Sequence, residues 1–195
     1  MSTPGQLRRA IRQRRRNLDP DKSLACARQM AQNARSVHAI LGSRHIAAYL
    51  ASDGEIDPLP LMQMLWSLGK TLYLPVLAPF SVRKLWFAKF EPGDPLVYNR
   101  FGILEPQRRR LVKPRNLDLV LAPLVAFDTA GNRLGMGGGY YDASFAFLAA
   151  RRYWYKPHLY GLAYDFQKLP AIRPSAWDVP LDAVVTEMAV YVAHD

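Results

Sequence analysis

The sequence predicts an α/β fold: a single domain with a mostly parallel, mixed β-sheet and helices on both of its faces. Segments with helical periodicity alternate along the chain with short apolar segments, and this alternation is typical of parallel sheets. The 195 residues also suit one domain of ordinary size, and no repeat or linker divides them. We therefore treat residues 1–195 as one domain.

Local signals place the elements of this fold. Thr3, Asp19 and Asp57 each precede a proline, an arrangement favoured at the start of a helix. These starts predict a short helix containing Leu7 and Ile11, a longer one from residue 20 to near Gly42, and a third over 58–68; a fourth is expected around 141–152. Strands are expected at 45–50, 71–74, 85–90, 119–122, 159–163, 183–186 and 189–192, with a loop-rich stretch at 91–114.

Composition excludes several classes of protein. Half of the residues are hydrophobic and 22% are charged, which excludes general disorder. The single cysteine, Cys26, excludes an intramolecular disulfide, so we expect the protein to act in a reducing, cytoplasmic compartment. We expect Cys26 itself to be a packing residue in a helix. The longest apolar run, 119–127, is far shorter than the roughly 20 residues that cross a bilayer. No apolar segment follows the arginine-rich N-terminus, so we expect neither a secretory signal nor a membrane span.

The net charge of +10 is concentrated in two runs. Residues 1–16 carry six arginines and no acid, and residues 108–115 carry five basic residues and no acid. The rest of the chain is close to neutral. Such runs are typical of surfaces that bind nucleic acid, but they also suit a solvated face or a small anionic ligand.

The segment from Asp128 to Asp142 is the most informative in the chain. Four of its glycines fall within the five residues 135–139, after a predicted buried strand and before a predicted helix. Backbone amides of successive glycines can converge on phosphate oxygens, with Arg133 as a clamp and Asp142 as a magnesium ligand. The pattern is neither a Walker A loop nor G-x-G-x-x-G. The alternative is a tight turn without a ligand.

Further residues are candidates for the same site. Glu55 follows the strand expected at 45–50 and is expected at its carboxyl end, where open α/β sheets bind ligands; the alternative is a solvated acid in a turn. Asp178 and Asp182 stand just before the strand at 183–186, and either is a cap or turn residue, the commoner role, or a second carboxylate for the metal. Phe101 can stack on a planar ring, although an aromatic residue there is more often part of the core. The four histidines are scattered, so a zinc-type site is not expected.

Residues 133–142, reading RLGMGGGYYD, resemble the signature of the 5-formyltetrahydrofolate cyclo-ligase family, also called methenyltetrahydrofolate synthetases. The resemblance covers nearly the whole chain, including the basic segment 7–16, the strand end and acidic loop at 50–57, the segment 123–128, and the C-terminal segments 177–182 and 185–187. Pro4 stands where the family often has lysine, and Met136 and Gly138 stand where many members have basic residues.

The resemblance implies a fold like that of CoA-transferases, and the ATP- and Mg²⁺-dependent cyclisation of 5-formyltetrahydrofolate to 5,10-methenyltetrahydrofolate, with release of ADP and phosphate. It implies catalytic roles for Arg133 and Tyr140, and magnesium ligation by Asp142 and Asp182. The implied folate-binding residues are Leu50, Glu55, Phe101 and Tyr140. The implied ATP-binding residues are Arg8, Arg133, Leu134, Gly135, Met136, Gly137, Gly138, Gly139, Tyr140 and Tyr141.

We expect a monomer whose substrate is a reduced folate. The anionic glutamate tail of a folate is one candidate partner for the run from Arg108 to Arg115, whose role the sequence leaves open. Two other functions remain open at this point. A sugar-phosphate isomerase or CoA-transferase-like enzyme would leave the acidic loop at 53–57 and Asp142 without a role. A basic RNA-binding domain would use the two arginine runs, but no RNP-like, KH-like or helix-turn-helix pattern accompanies them.

Overall fold

The computed structural model describes residues 3–78, 83–108, 110–150 and 156–193. Within these residues the helices are α1 (Pro4–Arg16), α2 (Pro20–Ala34), α3 (His38–Gly42), α4 (Leu59–Ser67) and α5 (Tyr140–Phe145). The strands are β1 (His45–Ala47), β2 (Thr71–Leu77), β3 (Leu85–Lys89), β4 (Leu96–Tyr98), β5 (Leu104–Pro106), β6 (Leu111–Val112), β7 (Leu119–Pro123), β8 (Ala126–Phe127), β9 (Arg133–Leu134), β10 (His158–Leu162), β11 (Ala183–Val185) and β12 (Val190–Val192). Short 3₁₀ turns lie at Pro114–Asn116, Ala146–Ala150 and Asp165–Gln167.

Eight of these strands form one sheet in the order β12-β11-β10-β7-β1-β2-β3-β6. The central strands from β11 to β2 pair in parallel, whereas β12, β3 and β6 are added by antiparallel pairing. Parallel pairing aligns the carboxyl ends of the central strands at one edge, where open α/β sheets bind their ligands. The predicted mixed, mostly parallel sheet is confirmed.

Helices cover both faces of this sheet. Successive residues of β7 point to opposite sides, so that Leu119 and Leu121 join one apolar cluster while Val120 joins the other. Residues of α2 and α4 complete the first cluster, and Phe145 of α5 belongs to the second. Cys26 is half-buried in α2 against the first cluster, and burial raises the pKa of its thiol, as expected of a packing residue.

The observed elements differ from the predicted ones in several places. The helix expected from residue 20 to Gly42 is divided into α2 and α3, because the Ser36 hydroxyl donates to the Asn33 carbonyl and Val37 adopts an extended conformation. The strand expected at 45–50 ends at Ala47, and the Tyr49 hydroxyl donates to the Ile56 carbonyl at 2.9 Å within the loop that follows.

Two hairpins and an edge strand lie where no strands were predicted. β4 and β5 form a hairpin, and β6 an edge strand, in the stretch predicted to be loop-rich, while β8 and β9 form a hairpin at the start of the glycine-rich segment. These strands have only two or three residues each, too few for a periodic pattern. The helix expected over 141–152 is α5 followed by a 3₁₀ turn, and residues 151–152 lie outside the described residues. No helix in the described part of the chain is long and apolar enough to cross a membrane.

Candidate functional site

The glycine-rich loop, residues 135–139, connects β9 to α5 at the carboxyl end of β7. The amide of Val125, which follows β7, donates to the Leu134 carbonyl at 2.7 Å and fixes the start of the loop. Gly137 and Gly139 have φ angles of +97° and +67°, which side chains rarely tolerate. The loop residues are exposed or half-buried, and the Met136 side chain is exposed. The loop therefore presents backbone to solvent at the ligand-binding edge of the sheet.

Arg133 and Asp142 join the two ends of this loop. The Arg133 Nη2 lies 2.5 Å from the Asp142 Oδ1, and the same guanidinium donates to the Val179 carbonyl. The Val179 amide in turn donates to Asp142 Oδ1 at 3.2 Å. The Arg133 side chain is only 6% exposed, so its guanidinium here serves Asp142 and Val179. Its predicted contact with phosphate stays a prediction.

Arg8 of α1 lies against the outer side of the loop. Its Nε donates to the Gly135 carbonyl at 2.8 Å, and its guanidinium carbon lies 3.8 Å from the position that a Cβ on Gly137 would occupy. Ile11 holds the helix in place by packing on Val125 and Ala126. The structure thus brings the predicted phosphate-binding arginine of α1 to the predicted phosphate loop.

The outer face of α1 carries an open groove of about 680 Å³ beside the glycine loop. Four arginines contribute to it, and no described acidic side chain does; its described lining is Gly5, Arg8, Arg9, Arg12, Gln13, Arg16 and Asn17. Of these arginines Arg8 contacts the loop, whereas Arg12 and Arg16 pair with Asp53 in the loop that follows β1. This arrangement favours an anionic ligand such as a polyphosphate.

Glu55 occupies the loop that follows β1. Its Oε2 accepts a hydrogen bond from the Ser52 amide at 3.1 Å, and the side chain is half-buried. Burial raises the pKa of Glu55 above its ordinary value, while the Ser52 amide and the charge of Arg15 oppose this shift. Burial, reinforced by the charge of Glu55, raises the pKa of Tyr49 and Tyr141 as well. The loop therefore offers a partly desolvated acceptor close to tyrosine hydroxyls that stay protonated.

An aromatic pair lies at the start of α5. The rings of Phe101 and Tyr140 meet edge to face with centroids 5.8 Å apart, and the Arg100 guanidinium lies 5.0 Å from the Phe101 ring centroid. Phe101 is 53% exposed, so it is not the core residue that its type favours. Tyr140 precedes Tyr141 in α5, and Tyr141 is the neighbour on which the charge of Glu55 acts. Leu50, also predicted for this pocket, is half-buried against the core cluster of α2 and α4.

The two predicted magnesium ligands contact different parts of the fold. Asp182 precedes β11, and its Oδ2 accepts a hydrogen bond from the Leu159 amide of β10 at 2.7 Å. Asp142 instead pairs with Arg133, as described above. Among the described residues, no group of three histidine, cysteine, aspartate or glutamate side chains is arranged to hold a metal. Magnesium is commonly bound by one or two carboxylates together with substrate phosphates, so Asp142 beside the loop suits an ion that arrives with a nucleotide.

Sequence reasoning did not single out Arg15 or Tyr49. Arg15 is 2% exposed, and its guanidinium donates to the Leu124 carbonyl at 3.1 Å. Its spacing of one turn from Ile11, on the buried face of α1, is the signal that predicts its burial. Tyr49 could also have been found from the sequence, because its hydroxyl is the one polar side-chain group in the apolar stretch from 46 to 50.

The second basic run lies at the edge of the sheet near β6. Arg109 lies outside the described residues. The Lys113 ammonium lies 5.9 Å from the ring centroid of Trp86, and the Arg115 guanidinium lies 4.9 Å from that of Phe147. These side chains thus pack partly on aromatic rings of the protein itself. Their predicted contact with a folate tail stays a prediction.

Known proteins resemble this chain in both sequence and structure. Residues 1–187 match the profile of the 5-formyltetrahydrofolate cyclo-ligase family. The 5-formyltetrahydrofolate cyclo-ligase of Escherichia coli K12 is 40% identical over 185 residues, covering 93% of this chain and 98% of the relative. The cyclo-ligase of Haemophilus influenzae is 39% identical over 180 residues, covering 90% of this chain and 93% of the relative.

A solved structure agrees with these sequence relatives. The 5,10-methenyltetrahydrofolate synthetase of Aquifex aeolicus superposes with a TM-score of 0.82 at 30% identity, covering 98% of this chain and 93% of that protein. The resemblance noted in the glycine-rich signature is therefore confirmed along almost the whole chain. Sequence and fold agree that the chain belongs to the 5-formyltetrahydrofolate cyclo-ligase family.

Proposed function

We propose that this protein uses ATP to convert 5-formyltetrahydrofolate into 5,10-methenyltetrahydrofolate, ADP and phosphate. The observation that carries the proposal is the placement of two different binding surfaces at one edge of the sheet. One is the glycine loop with Arg8, which suits phosphates, and the other is the half-buried Glu55 carboxylate with the Phe101–Tyr140 pair, which suits a planar ring with hydrogen-bond donors. A reaction between a nucleotide and a pterin needs both.

The nucleotide phosphates are proposed to lie on the loop from Arg133 to Tyr141. Gly137 and Gly139 adopt left-handed conformations that allow the backbone to approach a ligand without a Cβ. Arg8 already lies along the loop and contributes positive charge. Arg133 contributes by holding Asp142 and Val179 in position.

In the reaction, the formyl oxygen attacks the γ-phosphorus, and the bond from that phosphorus to the bridging oxygen of ADP breaks. N10 of the folate then attacks the formyl carbon and loses its proton to solvent, and the carbon–oxygen bond breaks to release phosphate. An amide oxygen is a weak nucleophile, so catalysis must come mainly from alignment and from neutralising the phosphoryl charge. Arg8 of α1 and the loop amides fit that requirement.

The folate ring is proposed to lie between Glu55 and the aromatic pair. An ionised Glu55 accepts hydrogen bonds from the N–H groups of the pterin edge, and charge-assisted bonds of this kind are strong. Leu50, Phe101 and Tyr140 flank the ring. The Tyr140 ring, held edge to face by Phe101, is proposed to contact the formyl group beside the adjoining loop.

Magnesium, when bound together with ATP, would neutralise part of the phosphate charge. Asp142 is the residue proposed to hold it, since this carboxylate lies at the end of the phosphate loop. Asp182 stays a predicted second ligand. Its carboxylate bonds the Leu159 amide, so its participation requires a test of its own.

Incubation of the purified protein with 5-formyltetrahydrofolate and MgATP tests the proposal. The near-ultraviolet absorbance of the methenyl product should rise, and the rise should disappear without ATP or with EDTA. Folded protein that forms no methenyl product at saturating substrates would overturn the proposed function.

Three finer expectations accompany this proposal. Polyglutamylated folates should bind more tightly through the basic run that contains Arg110 and Arg115, the protein should be a monomer, and it should act in the cytoplasm. Affinities measured for folates with tails of different length check the first expectation. Gel filtration checks the monomeric state, and fractionation of cells checks the location. Nucleic acid is not expected as a partner, and generic RNA should bind weakly and dissociate at moderate salt.

A further inference from the structure

Asp53, in the loop that carries Glu55, accepts three arginine side chains of α1. Its Oδ2 lies 2.5 Å from the Nε of Arg12 and 3.1 Å from the Nη2 of Arg15, and its Oδ1 pairs with Arg16. The Asp53 side chain is 16% exposed, and that of Arg15 is fully buried. A single partly buried carboxylate thus holds three positive charges through charge-assisted hydrogen bonds.

The backbone of the same loop lies directly on α1. Asp53 and Gly54 have positive φ angles of 52° and 71°. A Cβ on Gly54 would lie 2.9 Å from the carbonyl carbon of Arg15 and 3.0 Å from the Arg16 nitrogen, so no larger residue fits there. The loop and the last turn of α1 are therefore in close contact at both the side-chain and the backbone level.

The other half of α1 contacts the glycine loop. Arg8 donates to the Gly135 carbonyl, and Ile11, between Arg8 and Arg15, packs on Val125 and Ala126. One rigid helix therefore forms a wall shared by the proposed nucleotide site and the loop that carries Glu55. A change in the position of this helix affects both sites together.

Without Asp53, the arginines at this end of α1 would repel one another. Arg12 and Arg16 are one turn apart, and like charges at this spacing destabilise a helix. Arg15 would keep its bond to the Leu124 carbonyl and the nearby charge of Glu55, but its buried guanidinium would lose the one carboxylate described as bonding it. The helix would then be held less firmly against the acidic loop.

We propose that Asp53 is a positioning residue that couples the two substrate sites by fixing α1 between them. The proposal rests on the proposed function, because it takes the nucleotide and the folate as the two ligands. A ligand that immobilises the helix also immobilises, through the Asp53 bonds, the loop that carries Glu55; this removes part of the ordering cost for the second ligand, which then binds more tightly. Asp53 itself need not touch either substrate.

The test compares Asp53→Asn with Asp118→Asn. Asp118 is a matched control, because it also forms an ion pair, with Lys156 at 2.7 Å, and also anchors a loop through the amides of Arg44 and His45. It lies at the amino end of β1, away from the site. Calorimetry should measure the affinity for a non-hydrolysable ATP analogue with magnesium, and for 5-formyltetrahydrofolate, each alone and with the other ligand saturating.

The wild-type protein should bind the nucleotide analogue about fivefold or more tightly when the folate is present. Asp53→Asn should weaken each ligand alone by about tenfold, because the helix and the loop are no longer ordered before binding, and should bring the coupling factor close to one, because the link between them is lost. Asp118→Asn should leave both affinities and the coupling factor unchanged. Amide hydrogen exchange in α1 should be faster in Asp53→Asn than in Asp118→Asn.

Retention of the wild-type coupling factor in folded Asp53→Asn would overturn the proposal. If Asp53→Asn does not fold, Arg16→Gln replaces it; this side chain is 56% exposed, and the variant keeps the Arg12 and Arg15 bonds. Arg16→Gln should then reduce the coupling factor, and an unchanged factor counts against the proposal. Wild-type protein that binds neither ligand would instead refute the proposed function, so the two failures are distinguishable.

Discussion

Arg133 and Asp142 form a 2.5 Å ion pair that closes the base of the glycine loop. The pair joins the first residue of β9 to the first turn of α5, and both partners also bond the backbone of Val179. The loop between them is thus held at both ends although its own residues are exposed or half-buried. A phosphate can be bound by such a loop with little reorganisation, because the ends are fixed in advance.

Replacing Asp142 by asparagine separates the charge of this residue from its shape. In Asp142→Asn the side-chain oxygen can still accept from Arg133 and Val179, so the fold should survive, but the negative charge is lost. We expect a loss of ~3 kcal/mol in transition-state stabilisation, or about a hundredfold in kcat, and a higher magnesium requirement. A magnesium titration of activity measures both. Asp178→Asn, beside Val179, is the control, and an unchanged titration for Asp142→Asn would exclude this residue as the ligand.

Valine substitutions in the loop test the phosphate cradle. Gly137→Val and Gly139→Val place a branched side chain at left-handed positions, which strains the backbone by roughly 1–3 kcal/mol. ATP affinity should fall strongly in both variants, with a smaller effect on folate affinity. Gly135→Ala is the matched control, because its φ is ordinary and a Cβ there meets nothing within 4 Å. Calorimetric titration measures both affinities for each variant. Folded valine variants with normal ATP affinity would show that the phosphates bind elsewhere.

The raised pKa of Glu55 predicts a pH dependence of folate binding. Burial disfavours the charged form, so the carboxylate becomes protonated at a higher pH than an ordinary glutamate. Folate affinity should be full above this raised pKa and should decrease as the pH falls through it. Glu55→Gln should bind folate weakly at every pH and lack this decrease. Asp57→Asn, two residues away, is the control and should keep the decrease. Fluorescence titration at several pH values measures the folate affinity. If Glu55→Gln shows the same pH dependence as the wild type, Glu55 is not the group that binds the folate.

Asp118 predicts a pH dependence of stability rather than of binding. Its pKa is lowered from 3.8 to about 2 in spite of partial burial, because Lys156 and the amides of His45 and Arg44 bond the charged form. A lowered pKa in the folded state stabilises the fold above the ordinary value, and the effect is lost as the pH falls from about 4 through about 2. After allowance for solvent screening, Asp118→Asn should lose about 1 kcal/mol of unfolding free energy at pH 7. Urea denaturation should show that the difference in unfolding free energy between Asp118→Asn and the wild type disappears at acid pH. A difference that stays constant with pH would show that it does not come from the ionised Asp118 carboxylate.

Much of the fold followed from local patterns in the sequence. The alternation of helices and strands, the starts of α1 and α2 after Thr3 and Asp19, and the position of the glycine loop each depend on residues close together in the chain. The RLGMGGGYYD segment also indicated the family, since its loop chemistry is written in consecutive residues.

Contacts between distant residues were decided only by the tertiary structure. The sequence alone determined that a glycine loop, an acidic loop and an arginine-rich helix exist. It did not determine that Asp53 receives three arginines of α1, that Arg133 and Asp142 hold Val179, or that Phe101 meets Tyr140. These contacts depend on the order of strands in the sheet and on how α1 packs across β8 and β9. The free energy that selects this arrangement comes from burying both apolar clusters at once, which no local pattern of residues records.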